Sequence, residues 1–262
     1  MEIDGKNIVL TGAASGIGRA LLNLLAQFPA RIIAVDKDAG RLKDFPAGRA
    51  EVIPYACDLS QPEAVDALFE EAIHKLGGVD LFIANAGFAY YEKIDSADWA
   101  HIEQIYRVNV FSPLYALEKM RNLNSGRPYK AVITASAMSF LGLPGYALYS
   151  STKAALHRFA EAYRYELDDP ASLMLVYPIG TRTDFFSAAS QAHPAPQAWP
   201  TQTAEQVARA ILRGIQRDSR SVFPFGAFRL FLALPFLGKL EQVIESRRLQ
   251  KWLRSAVYDT HG

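Results

Sequence analysis

Residues 7–18 read N-I-V-L-T-G-A-A-S-G-I-G. The apolar run Asn7–Leu10 suits a buried strand. A glycine-rich turn, Thr11-Gly12-Ala13-Ala14-Ser15-Gly16-Ile17-Gly18, leads from it into an amphipathic segment, Arg19–Phe28. Strand, glycine turn and helix in that order open a βαβ unit. Glycines let the backbone turn tightly and let a pyrophosphate come close, and the helix start offers unpaired N–H groups and a partial positive charge. A tight turn with no ligand is the plain alternative. The position between strand and helix favours the ligand.

Working outward, the same alternation continues. Apolar runs at Arg31–Val35, Glu51–Ala56, Leu81–Ala84, Ala131–Ala135 and Ser172–Tyr177 read as strands. Between them lie helical stretches from Ser60 to Leu76, from 97 to 120 and from Tyr149 to Leu167. Ser60-Gln61-Pro62-Glu63 has the form of a capping box with proline in the first turn, and Gly77-Gly78 stops that helix. Thr203-Ala204-Glu205-Gln206 is a second capping box, starting a helix to Arg217, and Ser221–Phe225 suits a last strand. Strands separated by helices imply parallel pairing through right-handed crossovers. Continuous apolar strands suit a sheet covered on both faces. The expected fold is therefore α/β, a Rossmann-type doubly wound parallel sheet of about seven strands. One dinucleotide-binding domain spans 1–225 and includes a Pro- and Ala-rich substrate loop at 185–202. An apolar and basic extension, 226–262, packs on it as a lid or tail.

Composition narrows the function. The 262 residues carry a net charge of +1, so no basic footprint for nucleic acid exists. One cysteine, Cys57, excludes a disulfide scaffold and suits a small buried apolar residue. The start, MEIDGKNIVLTG, lacks a signal-peptide pattern, which with the single cysteine points to the cytoplasm. His74, His101, His157, His193 and His261 are scattered, with no pair in zinc spacing, so no metal is expected.

Asp36 ends the second strand, 18 residues after Gly18. A carboxylate at about that spacing accepts hydrogen bonds from an adenosine ribose and repels a 2′-phosphate. NAD is favoured over NADP, with Lys37 softening the discrimination. A solvated strand-end acid explains Asp36 but not the spacing.

Tyr149 and Lys153 stand four apart in Y-S-S-T-K and share one helix face. An ammonium beside a phenol favours the phenolate and lowers its pKa, which suits a general acid or base. Such pairs are common on solvated helices. Ser136 changes the balance: it ends the fifth strand, where ligands of open parallel sheets bind, and can meet the phenol at one substrate oxygen. Ser139 lies further past the strand, and Tyr146 has no lysine four residues on.

With these residues in order, the chain resembles the short-chain dehydrogenases/reductases of the compact single-domain type. The matching motifs are Thr11–Gly18, Asp58, Asn85-Ala86-Gly87, Asn109, Ser136, and Tyr149 with Lys153, across roughly residues 5–185. The resemblance implies an oxidoreductase moving a hydride between NAD and a secondary alcohol or ketone, with Asn109, Ser136, Tyr149 and Lys153 catalytic. Tyr149 would exchange the proton and Ser136 would hold the substrate oxygen. Lys153 would hold the nicotinamide ribose, and Asn109, at a helix kink, would hold a water. The cofactor would be lined by Thr11, Gly12, Ser15, Gly16, Ile17 and Gly18, by Asp36 and Lys37, and by Asp58 and Leu59 at adenine. Asn85, Ala86, Gly87, Pro178, Ile179, Thr181 and Thr183 complete that lining. The family usually has glycine after the proline; Ile179 stands here, which implies an altered substrate wall of Ser136, Tyr149 and Ile179. The resemblance also implies a homodimer or homotetramer built from the helices near 97–120 and 149–167. An epimerase or dehydratase normally has a different glycine spacing. An NAD-binding redox sensor without turnover normally loses the Tyr/Lys pair.

Residues 222–238 are apolar, but the longest uncharged run after Arg229 is nine residues, too short to span a membrane. The basic stretch 245–255 follows. Packing against a subunit or the core, a lid over an apolar pocket, and docking on an anionic membrane surface remain open for this segment, membrane docking being the least favoured.

Overall fold

The structure is a computed structural model describing residues 1–42, 48–92, 94, 98–183, 185, 200–233, 243–244 and 246–247. Six strands run β1 (Asn7–Thr11), β2 (Arg31–Asp36), β3 (Glu51–Ala56), β4 (Leu81–Ala84), β5 (Lys130–Thr134) and β6 (Leu173–Val176). Two short strands, β7 (Thr181–Arg182) and β8 (Gln202–Thr203), precede β9 (Ser221–Val222). The helices are α1 (Gly16–Leu25), α2 (Pro62–Leu76), α3 (Trp99–Tyr106), α4 (Ser112–Leu123), α5 (Ala147–Tyr163), α6 (Ala204–Gln216) and α7 (Gly226–Ala233). The main sheet has seven parallel strands in the order β3-β2-β1-β4-β5-β6-β9. The expected doubly wound fold is present.

Strand periodicity decides which layer each residue feeds. Ile8 and Leu10 point to one face, where Leu21, Leu22 and Leu25 of α1 and Val207, Ile211 and Ile215 of α6 cover them. Val9 points to the other, under α2, α4 and α5. Each fully buried leucine of α1 contributes about 1.5–3 kcal/mol of transfer free energy. The edge strand β3 is half-exposed and tolerates Pro54, whose missing N–H would break a central ladder. Chain order reverses between β1 and β4, which opens a crevice at their carboxyl ends.

Several boundaries differ from expectation, each for a local reason. Helix α2 starts at Pro62 with Gln61 at the cap, because the Ser60 hydroxyl donates to Asp58 Oδ1 at 2.8 Å instead of capping. The stretch 97–120 is not one helix: a π turn, Arg107–Phe111, separates α3 from α4. Pro113 lacks the N–H that would close an α-helical bond to Asn109, so the ladder opens there. Helix α5 ends at Tyr163 rather than Leu167, and β9 stops at Val222, before Pro224. The Thr203–Gln206 capping box forms on both sides, at 2.8 and 3.2 Å. Strands β7 and β8 pair in parallel and bracket the expected substrate loop, a clip the sequence reading lacks. Most of that loop, and of the basic stretch 245–255, lies outside the described residues. Among the described residues, no helix is long and apolar enough to cross a membrane.

Candidate active site

A cleft of about 500 Å³ lies along the carboxyl ends of β1, β2, β4, β5 and β6. Its first wall is the glycine turn. Gly12 has φ +65°, and a Cβ there would sit 2.9 Å from Ala86 Cα. Gly16, at φ +52°, lets Thr183 approach. Ser15 is extended and makes no side-chain cap bond, so the first N–H groups of α1 stay available at the cleft. Gly12, Ser15, Gly16 and Ile17 line this wall. An open, glycine-lined helix start fits a dinucleotide phosphate.

Thr11 and Gly18 do not line the cleft; both build it from behind. Thr11 Oγ1 donates to Ile83 O and accepts from the N–H groups of Asn85 and Ala86 at 3.0 and 3.1 Å. Gly18 packs so closely that an added Cβ would fall 1.8 Å from Gly12 O. Asn85 donates to Thr11 O and Gly12 O and accepts from Thr134 Oγ1, tying β1, β4 and β5 together. It also lines the cleft with Ala86 and Gly87.

At the far end stand Asp36, Lys37, Asp58 and Leu59, with Cys57 beside them. Asp36 Oδ2 accepts from Ala14 N at 3.0 Å, so this acid also shapes the glycine turn. Lys37 Nζ pairs with Asp58 Oδ2 at 3.1 Å. Burial pushes the Asp58 carboxyl up, but hydrogen bonds from Ser60 and the Lys37 ammonium outweigh it and hold it below its usual value. Burial drives the Cys57 thiol to about 11, so it stays protonated at neutral pH.

The other end collects Ser136, Tyr149 and Lys153 with Pro178, Ile179, Thr181 and Thr183. Tyr149 and Ser136 both line this end, and the Phe185 ring meets Tyr149 edge-on at 5.5 Å. Lys153 Nζ donates to Thr134 O at 2.8 Å and lies 5.5 Å from the Tyr149 ring centroid. The expected lowering of the phenol pKa is not what the folded chain shows. Burial pushes Tyr149 up to about 12, against a smaller opposing effect of Ser136, and lowers Lys153 to about 8. Desolvation disfavours both charged forms and outweighs their proximity.

Asn109 lies behind Gly87, outside the lining. Its Oδ1 accepts from Phe88 N at 3.1 Å, and its Nδ2 donates to Phe88 O at 2.8 Å and Thr152 Oγ1 at 3.2 Å. The amide thus fixes the backbone that follows Gly87 against α5.

Sequence reasoning missed Met138, Leu141 and Leu143, which line the cleft together with Phe185, Pro200 and Phe228. The loop after β5 has no periodic pattern to betray its inner face. Phe228 belongs to the apolar segment for which a lid was one reading. Ile179 lines the cleft, and its carbonyl accepts from Thr181 Oγ1.

The short chain dehydrogenase model matches residues 6–194. The chain belongs to this family. Its curated relatives include an 11-beta-hydroxysteroid dehydrogenase of Pinus massoniana, 26% identical, covering 91% of this chain and 72% of the relative. A 1-deoxy-11-beta-hydroxypentalenate dehydrogenase of Streptomyces avermitilis is 34% identical over 64% of this chain and 65% of that protein. Among solved structures, a short chain dehydrogenase/reductase from Burkholderia phymatum in complex with NAD superposes with TM-score 0.78, at 25% identity, covering 89% of this chain and 92% of that one. A short-chain dehydrogenase from Sphingobium yanoikuyae in complex with NADPH shares the fold at TM-score 0.72 and 21% identity, covering 89% and 94%. The chain is thus an oxidoreductase of a family that uses nicotinamide cofactors.

Proposed function

We propose that the chain moves a hydride between NAD and a secondary alcohol or ketone of low polarity, with Tyr149 exchanging the proton. One observation carries this reading. Tyr149 and Ser136 line a cleft whose lining also includes the apolar side chains of Met138, Leu141, Leu143, Ile179, Phe185, Pro200 and Phe228. Two hydroxyls in an apolar wall suit a single oxygen on a hydrocarbon skeleton. The hydroxysteroid dehydrogenase among the relatives is named for such a substrate.

The nicotinamide supplies or accepts the hydride when bound. Ser136 Oγ holds the substrate oxygen. Tyr149 Oη gives its proton to that oxygen as the carbonyl carbon is reduced, and takes it back as the alcohol is oxidised. Held near 12, the phenol is protonated at neutral pH, the form that donates. Lys153 stabilises the phenolate left behind. Asp36, at the ribose end, supports NAD: its charge repels a 2′-phosphate, while Lys37 is engaged by Asp58. Subunit pairing through the helices near 97–120 and 149–167 is part of the same reading, and the exposed Phe111 ring offers an apolar contact just before α4.

The test mixes purified chain with NAD and a panel of secondary alcohols spanning steroids, small diols and acyl derivatives, following absorbance of the reduced cofactor. Turnover on an apolar alcohol that falls at least about a hundredfold in Tyr149→Phe is expected. Unchanged turnover in Tyr149→Phe would exclude the mechanism.

A further inference from the structure

Among the described residues of α7, Phe228 is the buried one, 6% exposed, while its neighbours Arg229 and Leu230 face solvent. Its ring centroid lies 6.1 Å from Phe140 and 6.4 Å from Phe223. Phe140 packs on His157 at 4.5 Å and on Tyr177 at 5.1 Å, and Tyr177 stacks on Phe223 at 4.8 Å. His157 Nδ1 and Tyr177 Oη are 2.9 Å apart, which fixes the tyrosine. These rings come from the loop after β5, from α5, from the end of β6 and from the chain beyond β9. Together they hold α7 against the carboxyl end of the sheet.

The same cluster locates Phe228 within the cleft. Phe140 follows Ser136 by four residues, and Met138, Leu141 and Leu143 of that loop line the cleft as Phe228 does. Phe228 therefore stands at the Ser136 end, away from Asp36. We propose that Phe228 is the end wall of the substrate compartment and sets the length of the apolar part a substrate can carry. The proposal rests on the hydride-transfer reading above. A ring held by neighbouring rings cannot turn aside cheaply, so a longer chain that reaches it overpacks. A shorter one leaves apolar surface uncovered. An extra methylene with room to sit gains about tenfold in kcat/KM, and one without room gains nothing. The bland alternative is that Phe228 only anchors α7; its truncation would then change stability and leave length preference alone.

The experiment compares wild type, Phe228→Ala and Phe228→Trp on methyl ketones lengthened stepwise from methyl butyl ketone to methyl dodecyl ketone. Turnover with NADH is measured alongside calorimetric titration of each ketone into the chain saturated with NAD. Phe228→Ala is expected to raise the ratio of the longest to the shortest ketone about tenfold, and Phe228→Trp to move the optimum to shorter ones. Length profiles that coincide in all three proteins overturn the proposal while leaving the hydride-transfer reading standing. Absent turnover with every ketone counts against that reading instead, and the binding series then decides the wall alone: a shift supports it, and no shift or no binding overturns it. Phe228→Trp keeps an aromatic ring in the cluster, so it decides the matter even where Phe228→Ala fails to fold.

Discussion

Lys153 Nζ donates to the carbonyl oxygen of Thr134 at 2.8 Å, joining α5 to the last residue of β5. The ammonium is thereby aimed along the carboxyl edge of the sheet, with the Tyr149 ring centroid 5.5 Å away. Burial separates the two groups' titrations, drawing Lys153 down to about 8 and pushing Tyr149 up to about 12. At neutral pH the free chain holds both protons.

Tyr149 should accordingly resist ionisation. Its folded value lies above the ordinary tyrosine value of about 10, so the protonated phenol is favoured by folding, and that contribution is lost as pH rises through about 12. Subtracting the ultraviolet titration of Tyr149→Phe from that of wild type isolates this phenol among the 12 tyrosines. The difference should stay flat until roughly pH 11. An inflection below roughly pH 9 would mean that the ammonium already outweighs burial.

Lys153 gives the opposite sign. Its folded pKa of about 8 lies below the ordinary lysine value of 10.5, so the unfolded chain binds the proton more tightly between them. The group therefore opposes folding below about 8, and the penalty fades as pH rises toward 10.5. The melting temperature of Lys153→Met minus that of wild type should fall across this window, because groups common to both proteins cancel. A difference independent of pH would refute the assignment, whatever its size. Loss of the Thr134 bond shifts the whole curve without tilting it.

The sheet was legible because each strand is a short apolar run closed by a turn signal, and the first glycine turn lies between strand and helix. Ser136, Tyr149 and Lys153 were legible because strand end and helix spacing both aim them at one place. Two features escaped, and a third came only through the family resemblance. The kink at Asn109 was implied by that resemblance; in the residues themselves it depends on Pro113 denying a hydrogen bond, a signal weaker than the helical periodicity around it. Thr11 and Gly18 sit in the glycine motif yet face away from the cleft, since packing between β1 and β4 rather than motif membership decides their direction. The walls Met138, Leu141 and Leu143 come from an irregular loop, whose inner face is set only by contacts distant in sequence.

Cofactor choice should turn on Asp36. Its Oδ2 accepts from Ala14 N, and Lys37 is drawn to Asp58. Asp36→Asn keeps the size, removes the charge that repels a 2′-phosphate, and should raise the NADP-to-NAD affinity ratio about tenfold. Dissociation constants from quenching of protein fluorescence measure it. If Lys37→Ala changes the ratio and Asp36→Asn does not, the lysine governs the choice.

Asn109 should matter to stability before chemistry. It is 1% exposed and satisfies both the N–H and the carbonyl of Phe88. Asn109→Ala leaves these backbone groups unpaired, at a cost of about 1–3 kcal/mol each where water cannot reach them. Urea unfolding should show a loss of that order at unchanged slope. A loss below about 0.5 kcal/mol would mean that water replaces the amide freely.

Gly18 and Gly16 separate packing from ligand contact within one motif. At Gly18 a Cβ would fall 1.8 Å from Gly12 O and 2.7 Å from Asn85 Nδ2. Backbone must move, and with it the Asn85 bonds to Thr11 O and Gly12 O that join β1 to β4. Gly18→Ala should cost about 1–3 kcal/mol of stability and weaken NAD binding at least about tenfold. At Gly16 the nearest atom is Thr183 Cγ2, 3.2 Å away, on a side chain that can turn. Its φ of +52° still strains any other residue by about 1–2 kcal/mol. Because Gly16 faces the cleft, Gly16→Ala should weaken binding as much as Gly18→Ala while destabilising less. Melting temperatures and NAD dissociation constants of the two variants give the comparison. Equal stability losses with NAD binding intact in Gly16→Ala would show that the turn serves packing alone.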